Sequence, residues 1–427
     1  MDPAARRVER TYLALVLGNT LAASCIWGIN TLFLLDAGLS TTQAFAANAF
    51  FTAGMVLFEI PTGVVADRWG RRASYLAGTL VLAATTLAYV ALWQVGAPFW
   101  AWALSSMAIG LGFTFFSGAV EAWLVDALLS TGAGQRVQPV LGRAQVVGGI
   151  GMLAGSVGGG ALAQATSLGV PYLVRTGLLV ALFVVAAVFM RDLGFTPDRS
   201  RSQGAAIRAL LVDSVTHGPR RPPVRWLMVS GAFLSGVGIY GFYAMQPYLL
   251  ELYGDERAYT VAGLAAAILA GAQVLGGLAA PLVRRWVPRR TTVLLATTLL
   301  GAGLLALLGL VRGFATALLL IVAWGVAQAI AAPVRQAYLN DLVPSAQRAT
   351  VLSFDSLVAN SGGVVLQPAL GRSADVWGFG PSYLLGGAVQ MLAIPFLIAS
   401  RRTCADAAAG DTPEGHGDAD RGRTYLR

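Results

Sequence analysis

The sequence contains no lysine, because all 30 of its basic residues are arginine. A P-loop nucleotide site needs a lysine to reach the phosphates, and retinal and pyridoxal proteins attach their cofactor to a lysine amine. These classes are therefore excluded. Cysteine and histidine are also scarce: Cys25 and Cys404 lie far apart, and His217 and His416 lie in polar segments. This pattern indicates neither a disulfide framework nor a metal site, and we expect no cofactor.

Charge is the second scarcity, since only 12% of the residues are charged. Residues 11–35, 73–120 and 291–311 are uncharged over 25, 48 and 21 positions. A helix needs about 20 apolar residues to cross a bilayer, whereas barrel strands alternate apolar and polar residues over about 10. The mean hydropathy is +0.66. The pattern predicts an all-α integral membrane protein that crosses the lipid bilayer many times.

Twelve transmembrane helices can be placed along the chain. The first follows MDPAARRVER at full spanning length, so we expect a membrane helix there and no cleaved signal peptide. The division between the third and fourth helices rests on the turn residues at 94–98. The predicted limits are 11–35, 41–66, 73–93, 98–128, 138–165, 171–190, 226–251, 259–283, 291–311, 314–340, 346–371 and 379–400.

Arginine is distributed unevenly between the two sides that these spans define. With the N-terminus inside, 25 arginines fall on the inner side, and only Arg257, Arg312 and Arg372 fall on the outer side. Inner loops of membrane proteins are enriched in basic residues. We therefore predict a multi-pass protein of the cell membrane with both termini in the cytoplasm. The net charge of +9 then reflects topology and attraction to anionic lipid, and no nucleic-acid partner is expected.

The predicted chain has four parts. The longest polar interruption divides the spans six and six, and apolar residues at helical spacing over 205–215 predict a short amphipathic helix within it. The polar end of the chain is predicted to be disordered. The parts are a six-helix bundle over 1–190, a cytoplasmic loop over 191–225, a second six-helix bundle over 226–402 and a cytoplasmic tail over 403–427.

The two bundles repeat each other in sequence. EAWLVDALL at 121–129 aligns with QAYLNDLVP at 336–344, which places Asp126 over Asp341. The segment DRWGRR after the second span has a degenerate counterpart, RRWVPRR, after the eighth. Parallel repeats of six spans are typical of a transporter with a central site between its halves.

The segment GVVADRWGRR resembles the loop motif of the major facilitator superfamily, G-x-x-x-D-R-x-G-R-R. The resemblance implies two pseudo-symmetric six-helix bundles that rock about a central cavity. It also implies a cytoplasmic gate, closed in the outward-open state, with Asp67 near the start of the eleventh span and Arg71 near Asp126. A carboxylate stabilises a helix N-terminus, and arginine pairs with carboxylates. The matching residues are Gly63, Asp67, Arg68, Gly70, Arg71 and Arg72.

The fifth span resembles the motif G-x8-G-x3-G-P-x-x-G-G of the drug:proton antiporters in that family. Ser156 stands where the motif has Pro, and Ser106 occupies the fourth-span position where the family often has Arg. The resemblance implies proton-coupled export with a different proton pathway. The alternative is that small residues only allow close helix packing. The matching glycines are Gly142, Gly151, Gly155, Gly159 and Gly160.

Three carboxylates are candidates for proton coupling, namely Glu59, Glu121 and Asp355. Glu59 lies about 12 Å deeper than Asp67 at 1.5 Å per residue. A carboxylate at that depth must be paired, hydrated or protonated. Each candidate can carry a proton by titrating as access alternates, or can form a structural or gating pair. For Asp355 the predicted partner is Arg335 in the tenth span.

Candidate contacts with a substrate come from the first and seventh spans, with Arg335 in the tenth. Tyr240, Tyr243 and Gln246 recur every three residues and so share one face of a helix. Aromatic faces with a few amides suit a hydrophobic or amphipathic organic molecule. The alternative for each residue is interfacial anchoring or helix packing. The first-span candidates are Trp27 and Asn30.

These features together predict a monomeric secondary transporter. Its expected activity is export of a small organic compound, such as a drug or secondary metabolite, in exchange for protons, with the proton gradient as the energy source. Proton-coupled uptake of a nutrient or metabolite on the same fold is the main alternative, and a transporter-like sensor is a third. No enzyme is expected, because neither a nucleophile–base pair nor a metal cluster is present in the sequence.

Overall fold

The computed structural model describes residues 3–116, 118–196, 221–344 and 348–410, and these ranges fold into helices joined by short loops. Long apolar runs form the helices, and glycine or proline residues separate many of them. The helices are α1 (Pro3–Trp27), α2 (Asn30–Asp36), α3 (Thr41–Trp69), α4 (Arg71–Val95), α5 (Phe99–Thr114), α6 (Ala119–Ser130), α7 (Val137–Ala165), α8 (Val170–Phe189), α9 (Pro222–Tyr253), α10 (Tyr259–Trp286), α11 (Arg290–Leu310), α12 (Phe314–Leu342), α13 (Arg348–Trp377), α14 (Phe379–Met391) and α15 (Ala393–Gly410).

Within the described ranges, ten helical segments are long and apolar enough to cross a membrane, and the pair α1 and α2, bent by 45°, makes eleven. The remaining predicted span corresponds to α13, which is equally long but more polar because it carries Asp355, Arg372 and Asp375. It packs between α3 and α9, so its polar side chains can meet protein instead of lipid. The all-α membrane architecture is confirmed.

Three predicted spans are broken helices. The first is interrupted between Trp27 and Asn30, the fourth around Gly118 and the last at Leu392. Gly118 has a φ of 67°, a left-handed conformation that favours glycine. The predicted turn at 94–98 is present, since α4 ends at Val95 and α5 begins at Phe99.

Helices α1–α8 form one half of the molecule and α9–α15 the other, and two of the clusters of buried apolar side chains extend across the junction between the halves. The halves meet where α3 packs on α13, α7 on α10 and α2 on α9. The end of the molecule that carries Gly70 and Asp126 is called the motif end here. The end that carries Asp36 and Thr41 is called the far end. Many large apolar side chains point outward, as hydrocarbon-facing helices require.

The structure describes only part of the predicted loop and tail. The amphipathic helix predicted at 205–215 and residues 411–427 lie outside the described residues. The tail was expected to be disordered from residue 403, but α15 continues to Gly410. The segment TCADAAAG supplies four alanines, the best helix formers, which explains the extension.

Candidate functional site

The loop motif lies in the turn from α3 to α4, where Gly70 has a φ of 104°. A Cβ at Gly70 would lie 3.2 Å from Cγ of Asp192, so both backbone and space require glycine. The backbone N–H of Arg72 donates to Asp192 Oδ1 at 2.9 Å, and its guanidinium donates to the Ala187 carbonyl at 2.6 Å. These contacts attach the motif to the end of α8. Asp192 was not predicted as a site residue, although it is an acid in an arginine-rich loop.

Arg71 contacts two carboxylates at the motif end. Its Nη1 donates to Asp67 Oδ1 at 2.6 Å, and its Nε lies 4.0 Å from Asp126 Oδ2. The other half contains a matching ion pair between Arg290, at the start of α11, and Asp341, at the end of α12. The structure thus brings Arg71 and Asp126 together as expected, and it repeats that pair at the aligned position.

Among the described residues, which leave out 345–347, Asp67 makes no contact with the start of α13 in this conformation. The Asp67 side chain is 59% exposed, Gly63 faces open space, and Arg68 is half-buried. Helices α3 and α13 instead contact each other nearer the far end, where Gln367 donates to the Thr52 hydroxyl at 3.1 Å. The gate contact was expected of the outward-open state, and it stays a prediction.

At the far end, a carboxylate on α13 closes the gap to α3. Asp375 accepts hydrogen bonds from the backbone N–H groups of Thr41 at 2.9 Å and Thr42 at 2.8 Å, and from the Thr42 hydroxyl. These N–H groups belong to the first turn of α3 and have no partner within the helix. Burial acts to raise the pKa of Asp375, but the hydrogen bonds from Thr42 and Thr41 outweigh it and hold the pKa below its usual value.

Gln246 forms a second connection between the halves. Its side-chain oxygen accepts from the Thr31 backbone N–H at 2.9 Å, and its nitrogen donates to the Trp27 carbonyl at 2.7 Å. The Thr31 hydroxyl donates to the Tyr243 carbonyl at 3.0 Å. Because Gln246 is 1% exposed and both ends of its amide are used, it joins α9 to the first span in this conformation.

The expectation that Tyr240, Tyr243 and Gln246 together line a cavity does not hold in this conformation. Tyr240 is 1% exposed, its hydroxyl pairs with Ser382, and its ring packs 4.8 Å from that of Phe45. Because these residues recur every three positions, they do lie close to one another on the surface of α9. That part of the helix meets neighbouring helices, so Tyr240 and Gln246 act in packing. Only Tyr243 is half-buried.

A polar chain crosses the first half beside this junction. Tyr172 donates to Asn30 Oδ1 at 3.1 Å, and Asn30 donates to Asn48 Oδ1 at 2.9 Å. One turn along α8 from Tyr172 lies Arg175, which is only 2% exposed. Its guanidinium carbon lies 5.8 Å from the centre of the Phe113 ring. Arg175 falls within the sixth predicted span, 171–190, and was not predicted as a site residue.

The predicted pair of Arg335 and Asp355 is present in the second half. Two guanidinium nitrogens of Arg335 each donate to one oxygen of Asp355, both at 2.6 Å. Asp355 is 5% exposed, so the pair lies within the protein, with a further bond from Arg335 to the Leu227 carbonyl at 3.3 Å. A two-point geometry of this kind is the strong form of a charge-assisted hydrogen bond.

The other two acidic candidates are less enclosed than Asp355. Glu59 is half-buried on α3, and Glu121 lies exposed in the first turn of α6. A different glutamate, Glu9, is buried and pairs with Arg136 at 2.7 Å and with Arg143. Among the described residues, no group of three or more His, Cys, Asp and Glu side chains is arranged to hold a metal ion.

The glycine motif of α7 faces two different helices. Gly151, Gly155 and Gly159 lie against α1, and a Cβ at Gly159 would meet the backbone of Cys25 with its Cα at 3.0 Å. Gly160 instead faces Gly263 of α10 in the other half, and Gly28 faces the same residue, with Cβ-to-Cα distances of 3.1 and 2.9 Å.

The remaining motif glycine, Gly142, has no neighbour of this kind, because a Cβ there would meet open space. Helix α7 runs without interruption through Ser156, the position where the antiporter motif has Pro. Close packing therefore accounts for four of the five motif glycines.

Comparison with known proteins agrees with this architecture. The family model described as Major Facilitator Superfamily matches residues 12–365 and, in a second match, 260–414. A search of curated proteins finds no match.

Solved structures of transporters share the fold. The nucleoside transporter NupG has a TM-score of 0.75 at 12% identity and covers 94% of this chain and 100% of that chain. A bacterial homolog of the human lysosomal transporter Spinster, inward-facing and occupied, has a TM-score of 0.72 at 13% identity. The match covers 94% of this chain and 98% of that chain. A POT family transporter in complex with 5-aminolevulinic acid has a TM-score of 0.70 at 15% identity and covers 92% and 96%.

Proposed function

The chain belongs to the Major Facilitator Superfamily, and from that premise we propose that it exports a small organic compound from the cell in exchange for protons. It is a multi-span membrane protein of a transporter family. The observation that carries the proposal is the asymmetry of contacts between its halves. Hydrogen bonds that Gln246 and Asp375 accept from backbone N–H groups of the first half join the halves toward the far end, while Asp67 is exposed at the motif end. A carrier closed on one side requires this arrangement.

Orientation supports the direction of opening. The enrichment of arginine on the side of the motif end supports a cytoplasmic motif end. The conformation is then inward-facing, ready to take a compound from the cytoplasm. The outward-facing state needs the opposite arrangement, with the Asp375 contact broken and Asp67 beside the start of α13. Each state would be stabilised by contacts that the other lacks, as a two-state carrier requires.

Asp355 is the proposed proton-coupling group. It is buried and its charge is balanced by Arg335, so protonation would release Arg335 and weaken the link between α12 and α13. Glu59 and Glu121 are more accessible and serve as comparison positions. The resemblance of the α7 glycines to the antiporter motif supports export.

The test uses everted membrane vesicles with an acidic lumen and a panel of organic compounds. Export predicts that at least one compound accumulates while protons leave the lumen, and that a protonophore abolishes both. Gradient-linked movement in the opposite sense would establish uptake instead. If no compound in the panel moves with the gradient, the sensor alternative gains and the proposal fails. Vesicles that carry the Asp355→Asn variant are the matched control and should bind without proton-linked accumulation.

The comparison positions refine the proton assignment. With the transported compound, proton and compound fluxes are measured for Asp355→Asn, Glu59→Gln and Glu121→Gln. We expect only the first to separate the two fluxes. Loss of coupling in Glu59→Gln or Glu121→Gln with full coupling in Asp355→Asn would move the assignment away from Asp355.

A further inference from the structure

Arg175 is a buried cation that forms no ion pair with any residue that the structure describes. It is 2% exposed, its Nε has no hydrogen-bond partner, and no carboxylate within the described part of the chain lies at ion-pair distance from it. Its electrostatic neighbours are the side chains of Tyr172, Cys25, Tyr243 and Tyr89, all neutral at physiological pH.

Arg335, whose side chain is only 18% exposed, is by contrast matched by Asp355. The more exposed Arg136 and Arg143 share Glu9. Taking a guanidinium out of water without an opposing charge is strongly unfavourable. The Phe113 ring at 5.8 Å offsets only part of that cost, since a cation–π contact is weaker than an ion pair. Arg175 therefore retains the capacity to attract an anion.

The position of Arg175 suits a transported compound. Its neighbours come from five helices of both halves: Cys25 from α1, Tyr89 from α4, Phe113 from α5, Tyr172 from α8 and Tyr243 from α9. Of these, Tyr243 belongs to the second half, and its carbonyl takes part in the far-end closure. A group bound to Arg175 would thus lie just below that closure, and the set of residues around it would change when the halves separate.

We propose that Arg175 binds an anionic group, such as a carboxylate, of the transported compound, whose aromatic or apolar part packs against the half-buried rings of Phe113 and Tyr243. Guanidinium is the side chain best suited to a two-point contact with a carboxylate. The inference deepens the proposed function, on which it rests, by naming organic anions as the substrate class.

The test measures binding to the purified full chain and needs no transport. The probes are matched acid and amide pairs: benzoate and benzamide, 2-naphthoate and 2-naphthamide, 4-phenylbutyrate and its amide. In each pair the shape is shared and only the charge differs. We expect at least one acid to bind about tenfold more tightly than its amide, and Arg175→Gln to abolish that preference. Arg175→Lys should retain part of it, because lysine keeps the charge but not the fork.

A second measurement separates binding from a structural role. If Arg175 serves to bind, Arg175→Gln removes an uncompensated charge, and the ligand-free variant should unfold at the same or a higher temperature. A clear fall in unfolding temperature, or equal affinity for acid and amide in every wild-type pair, would overturn the proposal. Gradient-linked transport of neutral or cationic compounds alone would refute this inference while leaving the transporter assignment intact.

Discussion

The carboxylate of Asp375, in the last turn of α13, lies 2.9 Å from the backbone nitrogen of Thr41, the first residue of α3. The same two helices carry the inverse arrangement at the motif end, where Asp67 lies in the last turn of α3. In the expected outward-open state, Asp67 would face the start of α13. If that contact forms, a carboxylate at the end of each helix meets the start of the other helix, one at each end of the molecule.

Removal of the Asp375 charge should loosen the far end. Asp375→Asn loses charge-assisted acceptors for the first turn of α3, and at this exposed position we expect a cost of about 1 kcal/mol. That energy shifts the population of closed and open far ends about fivefold. Spin labels at Gln94 and Asp255, in a background lacking Cys25 and Cys404, report the distance between the halves.

The matched control is Asp67→Asn at the opposite end of α3. It should not lengthen the far-end distance, because Asp67 has no part in the far-end contact. An equal far-end distance in the parent and in Asp375→Asn would show that the carboxylate does not hold this end closed.

The pH dependence of the far end follows from the lowered pKa of Asp375, whose ordinary value is 3.8. A carboxyl with a lowered pKa in the docked state contributes fully above its ordinary pKa and loses that contribution as pH falls through the docked value. The label distance should therefore stay constant from about pH 8 to about pH 5 and lengthen only below about pH 4. An acid transition of equal size in Asp375→Asn would assign it to another group.

The ion pair of Arg335 and Asp355 should reveal itself through non-additive stability. Asp355→Asn leaves a buried guanidinium without its partner, at a cost of about 3–5 kcal/mol. Replacing both residues, as Arg335→Met with Asp355→Leu, should restore the unfolding temperature but not proton coupling. Thermal unfolding in detergent, together with proton flux in proteoliposomes, measures the two effects. If the double variant unfolds at as low a temperature as Asp355→Asn, the instability of Asp355→Asn does not come from loss of the ion pair.

Two adjacent glycines in α7 should respond oppositely to the same substitution. A Cβ at Gly159 would meet the backbone of Cys25, whereas a Cβ at Gly158 would meet open space. Gly159→Ala should destabilise the protein by about 1–3 kcal/mol, because backbone cannot move aside as a side chain can. Gly158→Ala should leave the unfolding temperature unchanged or slightly higher. Equal effects would show that α1 and α7 are not packed as described.

Membrane potential should accelerate transport of an organic anion. A proton that enters brings one positive charge to the inside, and an anion that leaves removes one negative charge from it. A negative inside therefore favours both movements, and each charge moved adds about 2.3 kcal/mol of driving force per ~100 mV. Export by proteoliposomes should therefore quicken when a potassium gradient with valinomycin makes the cytoplasmic side negative. A transported neutral amide of the same shape should respond less, because only the proton carries charge. Identical responses of the acid and its amide would contradict this charge count.

Contacts between one pair of spans could be predicted from the sequence. Arg335 and Asp355 are opposite charges in consecutive apolar spans, where each needs a partner, and they pair. The turn at 94–98 was marked by glycine and proline, whose backbone preferences act locally. The repeat also aligned Asp126 with Asp341, and both carboxylates lie beside an arginine at the start of a neighbouring helix.

Contacts that depend on the rotation and depth of several helices could not be predicted from the sequence. Gln246 was expected to meet a substrate, but α9 is turned so that its amide meets the backbone of the first span. Asp375 falls between the predicted spans 346–371 and 379–400 and was not predicted as a site residue, because no pattern in the sequence places the end of α13 beside the start of α3. Arg175 is a single arginine in an apolar run, and only the structure shows that no carboxylate of the described chain reaches it.

The meeting of Gly28 and Gly160 with Gly263 has a kinetic consequence. Backbone touches backbone there, so no side chain must withdraw from a recess or change rotamer before the halves separate. Interlocked side chains would add an activation barrier on top of the equilibrium cost of opening. This glycine contact therefore adds no side-chain barrier of its own to opening, and the interactions that must break there are the hydrogen bonds of Gln246 and Asp375.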